Sequence, residues 1–348
     1  MKTARQGYSL ISWRRCIPIT LAVVGSLSTA LFGARADVAP AATLLVLNKS
    51  DNTLAIIDAT TLKVLGHVAT GDGPHEVTAS ADGKTAYVAN YGDRETIGHT
   101  LSIIDLTTRK ETRLELGDLK RPHGIVEKNG YIYFTSEIKK CVARYNPQMG
   151  KVDWTAQTGQ NTTHMLVPSP DGKRLYTANI LSDTISILDI ATGKATHVKV
   201  GSKPEGLDIS PDGKELWVGH DGDGGVSVID TEAGKVTQTL AVSKVPIRIK
   251  FTPDGQRVLI SDPERGELYI YGAKTRKEIQ RIPVGMAAVG IVISSDGRRA
   301  FVASMAENKV SVIDLTSLKI TDRIEPGGMP DGLAWVEPRA NNERKNNP

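Results

Sequence analysis

The chain has 348 residues, 40% of them apolar and 5% aromatic, with 43 Lys and Arg against 39 Asp and Glu and two cysteines, Cys16 and Cys141. Five of the basic residues and no acid lie in the first 36 positions, which leaves 38 basic against 39 acidic side chains and no basic stripe for nucleic acid, an unlikely partner on this count. A near-neutral body holding Cys141 alone excludes an internal disulfide scaffold, so stability has to come from an apolar core.

At the amino terminus Lys2, Arg5, Arg14 and Arg15 precede an apolar run from Ile17 to Phe32 that closes on Ala34-Arg35-Ala36. The pattern predicts a secretory signal peptide over 1–36, cleaved after Ala36, and a periplasmic or secreted product. Sixteen residues interrupted by Pro18 and Gly25 are short for a membrane span, and no span is expected in the mature chain.

Beyond that point the sequence repeats. Strand endings recur at Asp58, Asp105, Asn146, Asp189, Asp230, Gly272 and Asp314, spaced by 47, 41, 43, 41, 42 and 42 residues, and a lysine stands five residues after each, from Lys63 to Lys319. Ahead of each ending lies a second β-rich run, such as TAYVAN, YIYFTS, RLYTAN or ELWVGH, several introduced by a Ser-Pro-Asp-Gly turn. In such a turn Pro and Asp start the reversal and Gly supplies positive φ. Each unit of about 42 residues reads as four short strands, the dimension of a propeller blade. The first unit begins at its second strand, Thr43 to Asn48, and its missing inner strand comes last, Pro330 to Val336. The expectation is an all-β, seven-bladed β-propeller of four-stranded blades over 37–337, closed by the C-terminal strand joining the N-terminal blade. It is read as a monomer, with a disordered tail over 338–348.

Tyr87-Val88-Ala89-Asn90 and Tyr176-Thr177-Ala178-Asn179, with the Ser-Pro-Asp-Gly turns and Val-Ile-Asp endings, resemble YVTN-type (YncE-like) propeller repeats. The resemblance implies the propeller fold and leaves the function open.

The Asp-Gly turns all fall on one face. On the other, the residues that open the inner strands differ from blade to blade: Asp331, His75, His123, His164, Glu205, Ile247 and Val289 around the ring, with Glu76 and Arg248 one position on. Five polar residues in consecutive blades predict a mouth polar on one arc and apolar on the other, suited to orienting a ligand. Loops on this face add Tyr91, Glu137, His220 and Asp262, and Arg121 stands two residues before His123. Second and third strand endings lie ten residues apart in six blades and fifteen apart in blade 2, from Asn90 to Asp105, so the insertion carrying Arg94 and His99 is a candidate lid.

His75, His123, His164 and Asp331 are candidate ligands of a divalent metal, since imidazole and carboxylate suit such ions. Tyr91, Arg121, Glu205, His220, Arg248 and Asp262 are candidate ligand-binding residues. Pro-His-Gly-Ile at 122–125 with Phe-Thr-Ser-Glu at 134–137 is similar to streptogramin-type lyase propellers, which implies His123 as a base and Glu137 as a base or magnesium ligand. The position that is acidic in that family is Arg121 here. The leading expectation is an exported binding module whose histidine-bearing mouth takes a small ligand, a metal or a periplasmic protein. The alternative is a metal-assisted lyase or lactonase-like hydrolase at the same face, with Arg248 or Arg121 stabilising developing negative charge.

Overall fold

A computed structural model describes residues 42 to 337; the expected signal peptide and tail lie outside the described residues. Seven four-stranded antiparallel sheets follow one another around a ring. In each, the inner strand pairs with the second, the second with the third and the third with the outer strand. The inner strands are Pro330–Val336, Pro74–Ala79, Pro122–Lys128, Thr163–Pro168, Pro204–Ile209, Arg248–Phe251 and Ala288–Ile293, for blades 1 to 7. Proline opens four of these strands, at a first position where a missing N–H interrupts no internal ladder bond.

The closure expected from the repeat is present. Thr43–Asn48 pairs on one side with Thr53–Asp58 and on the other with Pro330–Val336, through Thr43↔Val336, Leu45↔Ala334 and Val46↔Leu333. The two ends of the repeat region thus share one blade, and no sheet edge remains in the ring of inner strands. Gly332 makes this joint fit: a Cβ there would lie 2.3 Å from the His75 carbonyl oxygen of the next blade. Gly206 and Gly290 meet the same demand against Ile247 and Asp331, which explains the glycine that follows the first channel residue in those blades.

The apolar core sits between blades rather than in one centre. Leu45, Leu47 and Leu54 of blade 1 share a buried cluster with Ala86, Val88 and Ile104 of blade 2. Trp217 of blade 5 is wholly buried and meets Phe251 of blade 6 edge-on at 5.9 Å. Each such Leu or Ile removed from water contributes about 1.5–3 kcal/mol. Cys141 is one of these buried side chains, and burial pushes its thiol up to about 11.

Local turns hold the regular face. In Ser80 to Thr85 the Ser80 hydroxyl donates to Asp82 at 2.6 Å and accepts from the Thr85 N–H, while Gly83 takes φ +66°. On the opposite face the blade 2 insertion forms no separate lid. It lengthens the hairpin of Thr85–Gly92 and Ile97–Asp105, pairing Gly92 with Ile97, and Arg121 ties it to blade 3 through Gly98 O and Asp93 O. His99 turns outward to Glu115 at 3.4 Å. Among the described residues no helix is long and apolar enough to cross a membrane.

Candidate functional site

The channel residues at the variable face form a run of paired charges across the mouth. Tyr91 in the lengthened hairpin donates its hydroxyl to Glu137 at 2.7 Å. The other oxygen of Glu137 takes His164 Nδ1 at 2.5 Å, and His164 Nε2 faces Glu205 at 3.8 Å. Glu205 in turn accepts from Arg248 Nη1 at 3.1 Å, while Arg248 Nη2 crosses the channel to Glu76 at 2.9 Å. On the blade 1 side Lys49 lies 2.8 Å from His75 Nε2 and 3.6 Å from Asp331.

His123 occupies the middle. Its ring stacks on His164 with centroids 3.5 Å apart and lies 4.9 Å from His75 and 5.3 Å from Tyr91. It is 2% exposed, and its Nδ1 has no hydrogen-bond partner among the described residues. Arg248 Nε and Asp331 Oδ1 are likewise buried without partners, so three of the six such atoms among the described residues belong to this cluster. Groups of this kind cost about 1–3 kcal/mol each unless water or a ligand reaches them.

The three histidines differ in charge. Burial, reinforced by His164 and His75, holds His123 well below the ordinary histidine range. Burial also lowers His75, to about 4, against a partial offset from Asp331. For His164 burial works in the same sense, but the hydrogen bond to Glu137 and the charges of Glu205 and Glu137 outweigh it and push the ring up to about 9. At neutral pH a neutral imidazole therefore lies face to face with an imidazolium. Burial opposes charge on Arg248 too, yet Glu76, Glu205 and Asp331 hold it above its usual value. Glu205 falls below the usual carboxylate range despite burial because His164 and Arg248 favour its anion, whereas burial leaves Glu76 raised.

Several sequence expectations need correction. His123 and Glu137 share the mouth, but Glu137 bonds to Tyr91 and His164 and not to His123. The metal expectation does not fit: His75 Nε2 is engaged by Lys49, His164 is held as a cation between two carboxylates, and His123 stacks on His164 rather than converging with it. Among the described residues no group of three or more His, Cys, Asp or Glu is arranged to hold a metal ion. The magnesium implied by the lyase resemblance fails on the same ground, since both oxygens of Glu137 are used.

His220 and Asp262 are also misplaced. Both end second strands and are fully buried: His220 bonds to Asp223 at 3.0 Å, and Asp262 accepts the N–H groups of Lys244, Val245, Glu264 and Arg265. The next residue in the repeat is the one that faces the mouth, as Tyr91 and Glu137 do. That register also yields Lys49, which the sequence reading missed and which following Asn48 by the repeat would have found. Arg121 stays at the rim with its guanidinium 4.7 Å over the Tyr91 ring. Ile247 and Val289, the apolar arc, are buried in one core cluster.

Beneath the cluster the channel widens to about 1110 Å³ and opens on the face of the Asp-Gly turns. Its walls include Val77, Ile125, Leu207, Ile249 and Ile291, with an Asp208–Lys250 pair at 3.7 Å, and Glu76 and Arg248 close its inner end. This space is walled mainly by apolar side chains and one ion pair, whereas the unpartnered His123 Nδ1 and its charged neighbours lie at the mouth.

A family described as lactonase, 7-bladed beta-propeller, matches residues 66–251, more than half of the chain. Among solved structures, the hydrazine synthase of Kuenenia stuttgartiensis superposes with a TM-score of 0.69 at 21% identity, over 80% of this chain and 93% of its own. The periplasmic gluconolactonase PpgL of Pseudomonas aeruginosa gives 0.70 at 19%, over 85% and 99%. A putative 6-phosphogluconolactonase from Bacteroides fragilis gives 0.68 at 18%, over 85% and 98%. Likeness at these identities establishes the shared fold. No curated protein sequence matches the chain.

Proposed function

The chain belongs to the lactonase family of seven-bladed β-propellers, and from that premise we propose that it opens a lactone by water at the histidine-bearing mouth. The observation that carries the reading is His123: a neutral buried imidazole, free of protein hydrogen bonds at Nδ1, stacked on a charged His164 and near enough to Arg248 to feel its charge. Such a ring is a general base at neutral pH without first having to lose a proton.

In the proposed step His123 takes a proton from water as its oxygen attacks the lactone carbonyl carbon. The carbonyl oxygen becomes an oxyanion, for which the Arg248 Nε–H is an unengaged donor beside a cation. The ring C–O bond then breaks, the leaving alkoxide recovers the proton from the His123 imidazolium, and a hydroxy acid is formed. Glu137 and Glu205 do not meet substrate in this scheme. They position His164 and keep it charged.

A panel of lactones assayed with the parent and a His123→Asn variant tests the reading. Loss of at least about 100-fold in kcat/KM with an unchanged melting temperature supports a base. Hydrolysis that survives the substitution overturns it.

A second reading, a propeller that only binds, is favoured by the apolar side chains exposed around the same face, Ile97, Ile138, Leu181, Met286 and Met329. It predicts capture of a protein partner by a chain inactive on every lactone. The narrower YVTN-type likeness rests on strand endings and does not choose between the two. Export belongs to either proposal and rests on the amino-terminal pattern; sequencing the amino terminus of protein recovered from the producing cell tests cleavage after Ala36.

A further inference from the structure

We propose that the mouth selects an uncharged, hydroxyl-bearing lactone and rejects one carrying a phosphate or carboxylate, with Asp331 as the residue that decides. The inference rests on the lactonase reading and names its substrate class.

The charge pairing supplies the argument. Three cations of the cluster, Lys49, His164 and Arg248, face four carboxylates, Glu76, Glu137, Glu205 and Asp331. Both terminal nitrogens of Arg248 are already held by carboxylates. Both nitrogens of His164 face carboxylates, and Lys49 sits between His75 and Asp331. Arg121 lies over Tyr91 with Nη2 on the Asp93 carbonyl, committed to the seam between the hairpin and blade 3. A phosphate group is held by several donors on cations at once. Here it would have to displace a carboxylate from a nearly buried pair, which leaves that carboxylate without a counter-charge.

The unpartnered atoms point the same way. Asp331 is 3% exposed and its Oδ1 has no donor, while Arg248 Nε–H has no acceptor. A hydroxyl or a carbonyl oxygen supplies what Arg248 lacks, but only a group with a proton, such as a hydroxyl, supplies what Asp331 lacks. A phosphate dianion has no proton for it and adds repulsion. The same arrangement aids turnover, because hydrolysis converts a neutral ligand into a carboxylate, and Lys49, His164 and Arg248 are already paired with acids.

The test compares an unphosphorylated aldono-1,5-lactone with its 6-phosphate, with spontaneous hydrolysis subtracted, in the parent and in Asp331→Asn. The parent should favour the neutral lactone by at least about tenfold in kcat/KM, and Asp331→Asn should narrow that ratio, chiefly through KM. A parent that prefers the phosphate, or an unchanged ratio in a folded Asp331→Asn, overturns the inference and leaves the lactonase reading standing. Should Asp331→Asn fail to fold, Glu205→Gln takes its place, since freeing part of Arg248 should narrow the ratio in the same way. If neither lactone is hydrolysed the lactonase reading fails, and calorimetric titration with the matching aldonolactam and its 6-phosphate decides the selectivity. Tighter binding of the neutral lactam upholds it, and equal or tighter binding of the phosphate overturns it.

Discussion

His123 and His164 lie face to face with ring centroids 3.5 Å apart and planes 29° from parallel, one neutral and one charged. Two imidazoles from adjacent blades stay in opposite protonation states because Glu137 bonds to one of them, Glu205 faces it as a second anion, and burial acts on both.

That division predicts a stability maximum. His164, raised to about 9 in the folded protein, adds stability that is complete below the unfolded histidine value and disappears as pH rises through 9. His75, lowered to about 4, acts in the opposite sense and costs stability as pH falls from the unfolded value toward 4. The two together place the maximum near about pH 6.5. Urea unfolding against pH should show it, and His164→Asn should remove the alkaline slope, on the order of 3 kcal/mol in all.

Tyr91→Phe and Glu137→Gln separate positioning from charge. Loss of the Tyr91 hydroxyl removes one hydrogen bond to Glu137, about 1 kcal/mol, and leaves the His164 contact in place. Glu137→Gln removes a carboxylate from His164. The alkaline limb of the activity profile should hold its position in the first variant and move to lower pH in the second.

Arg248→Met leaves Glu76 without its paired cation and Glu205 with His164 alone in a nearly closed setting, and should destabilise by about 3–5 kcal/mol. Adding Glu76→Gln should recover part of the loss. If the double variant is no more stable than Arg248→Met, the bridge across the channel contributes nothing to folding.

Gly332→Ala tests ring closure. A methyl group placed 2.3 Å from the His75 carbonyl must push blades 1 and 2 apart, at a cost of about 1–3 kcal/mol, and a lower urea midpoint should report it. Gly332 lies outside the left-handed region, so the loss reports the steric contact and not backbone strain.

Chelation should change nothing. With His75 engaged by Lys49 and His164 held charged, the mouth offers no converging ligand set. Protein treated with a chelator and freed of it should keep its melting temperature and its activity on lactones. Loss restored by a single added metal would reverse this account.

The repeat made the architecture legible because each blade must satisfy the same local physics. A turn needs Asp and Gly at fixed places, a strand needs β-branched residues, and an inner strand that touches its neighbour's carbonyl needs glycine. The strand missing at one end of the repeat and present at the other dictated closure by the Pro330–Val336 segment. The ring of His75, His123, His164, Glu205 and Asp331 followed from the same alignment, because repeat position fixes which residue opens each inner strand. Partner choice did not follow. Glu137 bonding to His164 rather than His123, and Arg248 reaching Glu76 across the channel, join residues 27 and 172 positions apart in sequence. Burial then set the charges, leaving one imidazole neutral and another protonated. Those pairings depend on how seven blades converge on one axis, and no single repeat contains that information.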